Sequence, residues 1–199
     1  MWNKNILFVI SGPSGSGKTT LLKNLLKDKD TRHKLIRSVS FTTRPKRPGE
    51  EEGKDYFFIT ERAFRKKLKT KKILEWTRFL NYYYGTPKEH FNKLIKKDRH
   101  LLLCLDEKGA FKIKRHFLRN TVTIFILPPK IESLKTRMVS PERKVAKEDL
   151  LKRLALARKQ IRLCKDYDYR IINDNFNTAL KRLKKVIVKE IDLCEVVKS

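Results

Sequence analysis

The chain has 199 residues and a formal charge of +27, from 49 Lys and Arg against 22 Asp and Glu. This length accommodates one ordinary domain, and a hydrophobic content of 40% is enough for a sizeable core. Only seven Gly and seven Pro argue against a low-complexity chain, and no apolar run approaches the ~18 residues of a membrane span. We therefore expect a globular protein that has no membrane partner.

The three cysteines, Cys104, Cys164 and Cys194, are widely spaced and odd in number. A disulfide framework or a zinc site is therefore not expected, and reduced thiols favour a cytoplasmic protein. The positive charge attracts polyanions of any kind. Because the lysines are spread along the chain, we expect no specific nucleic-acid partner, only weak and salt-sensitive binding.

The first apolar run, Ile6–Ile10, predicts a short buried strand that leads into a glycine-rich turn over Ser11–Lys18. Thr19–Lys27 then predicts a helix, because four leucines recur on one of its faces. Strand, glycine loop and helix in this order are typical of the start of an α/β fold.

The pattern changes at Ser38–Thr60, where alternation, aromatic residues and turn residues predict a small, mostly β insertion that continues to about Pro87. The α/β pattern then returns, and a charged segment at Thr136–Asp149, which carries Pro141, predicts a mobile loop. The remaining predicted elements are strands at Leu101–Asp106, Thr121–Leu127 and Arg170–Ile172, and helices at Ile131–Val139, Lys147–Lys165 and Thr178–Glu190.

Eight residues after the first strand fit the pattern G-x-x-x-x-G-K-[ST]. They are Gly12, Pro13, Ser14, Gly15, Ser16, Gly17, Lys18 and Thr19. The glycines allow backbone N–H groups to converge on phosphate oxygens, and the start of the next helix adds partial positive charge. In such a loop the Lys reaches the β and γ phosphates and the Thr ligates Mg²⁺. We therefore predict that these residues bind ATP, with Lys18 catalytic and Thr19 as the metal ligand.

The stretch from Ser38 to Phe58 reads SVSFTTRPKRPGEEEGKDYFF. Together with GPSGSGKT, it closely resembles the guanylate kinases, which phosphorylate GMP. Further matches, in the family's order, are LEW at Leu74–Trp76, NYYYGT at Asn81–Thr86 and IIND at Ile171–Asp174. The resemblance runs from Ile6 to about Asp174.

This resemblance implies an α/β P-loop kinase with a central parallel sheet flanked by helices, a small, mostly β GMP-binding insertion and a helical lid. It implies a single domain over residues 1–199. The core would comprise about 1–36, 88–130 and 166–199, the insertion about 37–87 and the lid about 131–165.

The resemblance also implies roles for individual residues. Those that match the family's GMP-phosphate ligands are Arg44, Arg47, Tyr56 and Tyr84, with Arg44 also catalytic. Those that match its guanine-binding residues are Ser40, Glu75 and Thr86, and Asp106 completes the GMP-binding set. On the ATP side, Arg137 and Arg153 match catalytic arginines of the lid and its flanking helix, and Asn173 and Asp174 match a turn beside the adenine.

Three departures from the family pattern are visible. Pro45 and Lys46 are in swapped order before Arg47. An insertion near 139–142 leaves Arg143 only loosely matched to the second lid arginine. In the segment usually written L-D-x-D-x-Q-G, Cys104 replaces an acid and Lys108 replaces the Gln.

The implied reaction is ATP + GMP → ADP + GDP, a step of purine nucleotide metabolism, with Mg²⁺ as cofactor and a monomer or homodimer as the working form. The phosphate of GMP is largely deprotonated at pH 7, so no general base is needed. A non-catalytic guanylate-kinase-like module is one alternative, although such modules usually have a degraded phosphate loop. A basic P-loop ATPase acting on nucleic acid is another, and it would not need the guanine-binding set. A related small-molecule kinase with a different acceptor is the third, because Cys104 and Lys108 alter the acceptor side.

Overall fold

A computed structural model describes residues 5–139 and 147–196 of the chain. Strands and helices are interspersed along these residues. In chain order they are β1 Leu7–Ser11, α1 Lys18–Leu25, β2 Leu35–Arg37, β3 Phe41–Thr42, β4 Phe57–Phe58, α2 Glu61–Lys69, β5 Ile73–Phe79, β6 Tyr82–Pro87, α3 Lys88–Leu94, β7 His100–Cys104, α4 Glu107–His116, β8 Thr121–Leu127, α5 Ile131–Met138, α6 Lys147–Arg162, β9 Tyr169–Ile172 and α7 Phe176–Val196.

The central sheet has five strands in the order β2-β7-β1-β8-β9, and each neighbouring pair is parallel. Helices α1 and α7 pack on one face through leucines and isoleucines, and α3 and α4 pack on the other. Because both faces are covered, the central strands are apolar without alternation, as the sequence predicted for Ile6–Ile10. The phosphate loop follows β1, the middle strand of this sheet.

A second sheet has four strands in the order β4-β3-β6-β5. It lies in the segment predicted to be mostly β, but the same segment contains α2, which the sequence analysis missed. The reason is that α2 is short and has only three apolar residues, Ala63, Phe64 and Leu68. They share one face of the helix, but six charged side chains accompany them, so this short pattern was not recognised. Its start is fixed instead by the Thr60 hydroxyl, which accepts a hydrogen bond from the Ala63 N–H at 3.2 Å.

Several boundaries differ from the predicted ones. The strand predicted to reach Asp106 ends at Cys104, because Asp106 caps α4 by accepting the Gly109 N–H at 2.9 Å. The last helix is longer at both ends than predicted, and α6 passes into a 3₁₀ turn at Leu163–Asp166. Short elements β2, α3 and α4 were not predicted.

Residues 140–146 of the loop predicted at Thr136–Asp149 lie outside the described residues, and with them Pro141, Arg143 and most of the insertion near 139–142. The two ends of that segment are helical rather than loop, since residues 136–138 belong to α5 and residues 147–149 to α6. Within residues 5–139 and 147–196, none of the helices combines the length and apolar character needed to cross a membrane.

Candidate active site

The glycine-rich loop connects β1 to α1 and packs against the turn after β9. Gly17 caps α1 with φ 91°, in the left-handed region that favours glycine. A Cβ at this position would lie 2.3 Å from Nδ2 of Asn173. That amide donates a hydrogen bond to the Ser16 carbonyl oxygen at 2.8 Å. The structure therefore brings Asn173 onto the loop, while Asp174 beside it is exposed.

The Lys18 ammonium folds back onto its own loop. Its Nζ donates to the carbonyl oxygens of Gly12 at 2.6 Å and Pro13 at 2.8 Å. Burial lowers the pKa of Lys18, and nearby Cys104 opposes this shift. The hydroxyl of Ser16 is buried and has no hydrogen-bond partner among the described residues. The loop thus contains a desolvated cation and a free hydroxyl, both of which an anion such as phosphate would satisfy.

Two predicted arginines approach this loop from α5 and α6. Arg153 donates from Nη1 to the Ser14 hydroxyl at 3.4 Å, and its guanidinium lies 5.6 Å from the ring centre of Phe79 in β5. It therefore touches both the phosphate loop and the second sheet. Arg137 instead donates to the Asn173 carbonyl oxygen at 3.0 Å. Gly15 packs against α5, since a Cβ there would lie 3.1 Å from Met138.

Arginine and tyrosine side chains form a second cluster on the four-stranded sheet. The rings of Tyr56 and Tyr84 are 5.9 Å apart, and the guanidinium of Arg44 lies 5.6 Å from the Tyr56 ring centre. Arg44 is only 7% exposed, and its Nη2 donates to both Glu50 carboxylate oxygens, at 2.6 and 2.9 Å. The Arg47 N–H also donates to Glu50 at 2.9 Å. Burial opposes the charge of Arg44, but the bond to Glu50 and the two tyrosines raise its pKa overall.

A buried carboxylate forms the deepest part of this cluster. Glu75 is 2% exposed and accepts a hydrogen bond from the Thr86 hydroxyl. Burial raises the pKa of Glu75 to about 7, with Asp106 adding to the increase and Thr86 opposing it. Burial also raises the pKa of Asp106. Ser40 directly precedes β3 and is partly exposed, and the β3–β6 register continued by one residue places it opposite Thr86.

Cys104 lies between the two clusters. It pairs with Ile10 across the β1–β7 ladder, directly before the phosphate loop. Burial lowers the pKa of Lys18, which nearby Cys104 opposes, and burial followed by Cys104 raises the pKa of Tyr56. The pairing with Ile10 places the end of β7 beside the phosphate loop.

The residues near the phosphate loop are compatible with Mg²⁺ that arrives with a nucleotide. Thr19 is exposed in the first turn of α1, next to Lys18, so its hydroxyl is an available oxygen ligand. No group of three or more His, Cys, Asp or Glu side chains suited to a metal occurs in the described parts of the chain. Mg²⁺ commonly uses one or two protein oxygens together with phosphates and waters, which fits this donor set.

Comparison with known proteins identifies the family. The family model for guanylate kinase matches residues 4–190. The chain belongs to the guanylate kinase family. It is 42% identical over 188 residues to the guanylate kinase of Coxiella burnetii, covering 94% of this chain and 89% of that protein. It is 40% identical over 189 residues to that of Rickettsia prowazekii, covering 94% and 93%.

Solved structures agree with this family. The crystal structure of guanylate kinase from Anaplasma phagocytophilum matches with a TM-score of 0.75 at 31% identity, covering 94% of this chain and 87% of that one. A shikimate kinase from Acinetobacter baumannii, at 13% identity and a TM-score of 0.51, shares the fold alone. The family and the fold class predicted from the sequence are confirmed.

Two residues of this guanylate kinase site were missed in the sequence. Glu50 accepts hydrogen bonds from the Arg44 side chain and the Arg47 N–H. The feature of the sequence that could have indicated this role is an acidic residue three positions after Arg47. Gly109 leaves room for the acidic pair, since a Cβ there would lie 2.6 Å from Glu75 Oε2 and 3.2 Å from Asp106 Oδ1. Gly109 is the last residue of the segment that matches L-D-x-D-x-Q-G, but the sequence did not predict its contact with Glu75, because the two residues are 34 positions apart along the chain.

Proposed function

We propose that this chain transfers the γ-phosphoryl group of ATP to GMP, producing ADP and GDP for purine nucleotide metabolism. The observation that carries the proposal is that Arg153 links two anion-binding clusters, since it contacts both Ser14 of the phosphate loop and Phe79 of the four-stranded sheet. One contains the phosphate loop with Lys18, and the other contains Arg44, Tyr56 and Tyr84. Two polyanions that must react need a cationic cleft with two such compartments. Membership of the guanylate kinase family supports the same function.

On the donor side, we assign the ATP phosphates to Gly12–Thr19 and the adenine to the turn at Asn173 and Asp174. Arg137 supports this turn through its hydrogen bond to the Asn173 carbonyl oxygen. Lys18 is the cation for the β and γ phosphates, because its ammonium already lies in the loop and donates there to two carbonyl oxygens. Thr19 is the protein ligand for Mg²⁺, which supplies charge neutralisation for the phosphates when bound.

On the acceptor side, we assign the GMP phosphate to the cationic and phenolic cluster and the base to the buried carboxylate. The phosphate ligands are Arg44, Arg47, Tyr56 and Tyr84. The guanine ligands are Ser40, Glu75 and Thr86, with Asp106 beside them. A carboxylate accepts from the N1–H and 2-amino groups of guanine, and hydroxyls can donate to O6.

Catalysis then consists of alignment and charge stabilisation, because the attacking phosphate oxygen needs no base at pH 7. Arg153 is well placed for this task, since it contacts the phosphate loop and Phe79 of the second sheet at once. With Lys18 and Arg44 it would surround the transferring group with positive charge. Closure of α5 and α6 over the cleft would exclude water, which is a competing acceptor.

For the chain as a whole, we propose one domain, with the core, GMP-binding insertion and lid divided as predicted from the sequence. The residues assigned to both substrates belong to one chain, which suits a monomer or a homodimer. The three cysteines are free thiols, which supports a reducing, cytoplasmic location.

A coupled assay of ADP formation tests the proposed function. GMP, dGMP, AMP and ribose phosphates are offered as acceptors with ATP and Mg²⁺, and we expect rapid turnover with GMP. Turnover with a ribose phosphate but not with GMP would instead support a small-molecule kinase with another acceptor. ATP hydrolysis that depends on added DNA or RNA would support the nucleic-acid ATPase.

Glu50→Gln is expected to raise the KM for GMP about tenfold and to leave the KM for ATP unchanged. Glu50 holds Arg44 by a charge-assisted pair of hydrogen bonds, and Gln keeps the shape but loses the charge. Glu51→Gln is the matched control, because its carboxylate pairs with exposed Lys54 instead. A lower KM for GMP in Glu50→Gln would show that Glu50 competes with the substrate phosphate rather than positioning Arg44.

Cys104→Asp is expected to lower the Mg²⁺ concentration that gives half-maximal activity at saturating ATP and GMP. The thiol lies next to the phosphate loop, and a thiol is a poor partner for Mg²⁺ and its bound waters, which prefer oxygen. Cys104→Ala, which removes the thiol without supplying an oxygen, serves as the control. An unchanged Mg²⁺ curve in a folded Cys104→Asp protein would mean that Cys104 only packs.

A further inference from the structure

A cavity of about 490 Å³ lies on the back of the four-stranded sheet, and the proposed reaction does not use it. Successive residues of a strand face opposite sides of a sheet, so the back of β3 and β6 carries Phe41 and Pro87 while Tyr84 and Thr86 face the proposed GMP site. The floor of the cavity is aromatic. The rings of Phe41 and Phe57 are 5.7 Å apart, and the His90 ring lies 5.4 Å from Phe57.

The rim of this cavity is strongly cationic. Five lysines line it: Lys67, Lys71, Lys72, Lys88 and Lys93. Of these five lysines, only Lys93 has a carboxylate partner within ion-pair distance among the described residues, and that partner is Glu89 at 2.8 Å. The Lys67 ammonium lies 4.9 Å from the centre of the Phe41 ring. Ammonium groups gathered in this way repel one another, and a multiply charged anion would remove that repulsion.

Lys71 has a backbone conformation that is unusual for a lysine. Its φ is 52°, in the left-handed region, directly after the last residue of the α2 cap. Glycine or asparagine usually occupies this position, because other side chains are strained there. Glycine could form this turn with less backbone strain, so the turn alone does not explain why a lysine occupies position 71.

We propose that this cavity is a second nucleotide site, which binds a nucleoside polyphosphate with its base against Phe41 and Phe57 and its phosphates among the rim lysines. The volume lies in the range of small-molecule pockets, and the Phe41 and Phe57 rings, which are inclined to each other by 53°, offer aromatic contacts to a base. His90 lines the same cavity, with its ring edge-on to Phe57. The site is separate from the proposed GMP cluster on the front of the sheet.

Equilibrium dialysis of the full chain with radiolabelled GTP tests this site. Saturating ADP and GMP keep the proposed substrate sites filled, and EDTA removes Mg²⁺ so that the labelled GTP does not donate its γ-phosphoryl group to GMP. We expect one equivalent of GTP to bind, with an affinity that falls as salt increases. The double charge reversal Lys71→Glu and Lys72→Glu should weaken this binding at least about tenfold. Lys181→Glu and Lys185→Glu, on exposed positions of α7, make the same change in net charge and should leave it intact.

Lys71→Gly separates a structural role from a binding role. Glycine suits φ 52°, so this variant should unfold at the same or a higher temperature while binding GTP more weakly. Unchanged GTP binding in Lys71→Gly and in the double charge reversal would overturn the proposal. Equal losses in both charge-reversed proteins would overturn it as well, because the effect would then be one of overall charge. Displacement of GTP by a short oligothymidylate at a far lower phosphate concentration would assign the cavity to single-stranded nucleic acid instead.

Discussion

Lys18→Ala is expected to lower kcat for GMP phosphorylation by at least about 10²–10³, the cost of removing one well-placed group that stabilises transition-state charge. Its ammonium lies in the phosphate loop, where burial lowers its pKa. Negative charge that develops on the transferring group would gain this desolvated cation as its partner. Because the site is shielded from water, this interaction is stronger than it would be on the surface.

The fold should survive this substitution. Within residues 5–139 and 147–196, the Lys18 side chain donates to the carbonyl oxygens of Gly12 and Pro13 and to no carboxylate, so its removal leaves no buried carboxylate there without a partner. Activity is measured by the coupled assay of ADP formation, and folding by thermal unfolding. Lys27→Ala, at an exposed position beyond the end of α1, is the control. Activity near that of the unmodified protein in Lys18→Ala would refute the assignment of the phosphate loop.

The second large effect concerns the choice of acceptor. We expect kcat/KM for GMP to exceed that for AMP by about 10⁴ or more, since a site built on hydrogen bonds rejects a ligand that leaves its buried groups unpaired. Adenine has an unprotonated N1 where guanine has N1–H, so Glu75 would meet an acceptor instead of a donor. Glu75→Gln should erode this preference, because an amide can both donate and accept. Glu89→Gln, on the surface of α3, should not change it.

The same carboxyl group predicts a pH dependence. The pKa of Glu75 is raised by burial to about 7, so Glu75 is mainly ionised above this pH and mainly protonated below it. Guanine offers donors, which need the ionised form. We therefore expect kcat/KM for GMP to fall as the pH is lowered from 8 to 6, by up to about tenfold per unit below the pKa.

Glu75→Gln isolates this effect, because the phosphate of GMP titrates near pH 6 in assays of either protein. The profile of the variant should retain only the phosphate contribution. Equal rates with AMP and GMP in the unmodified protein, or identical pH profiles for the two proteins, would exclude Glu75 as the group that recognises guanine.

The sequence by itself determined the parts of this protein that depend on near neighbours. The residues Gly12–Thr19 form a phosphate loop because glycine conformations, helix start and Lys18 all lie within eight positions. The buried strands were visible because a sheet covered on both faces requires uninterrupted apolar runs. The order of the motifs from Ser38 to Asp174 was enough to indicate the guanylate kinase family.

Only the tertiary structure decided how distant groups meet. Cys104 acts on the pKa of both Lys18 and Tyr56. Gly109 leaves room for Glu75, and Arg153 contacts both the phosphate loop and Phe79. The lysine-rimmed cavity behind the sheet likewise has no local signature, since it is assembled from five elements and the connection after α2. Such contacts depend on how sheets and helices pack, and the spacing of residues along one chain does not specify that packing.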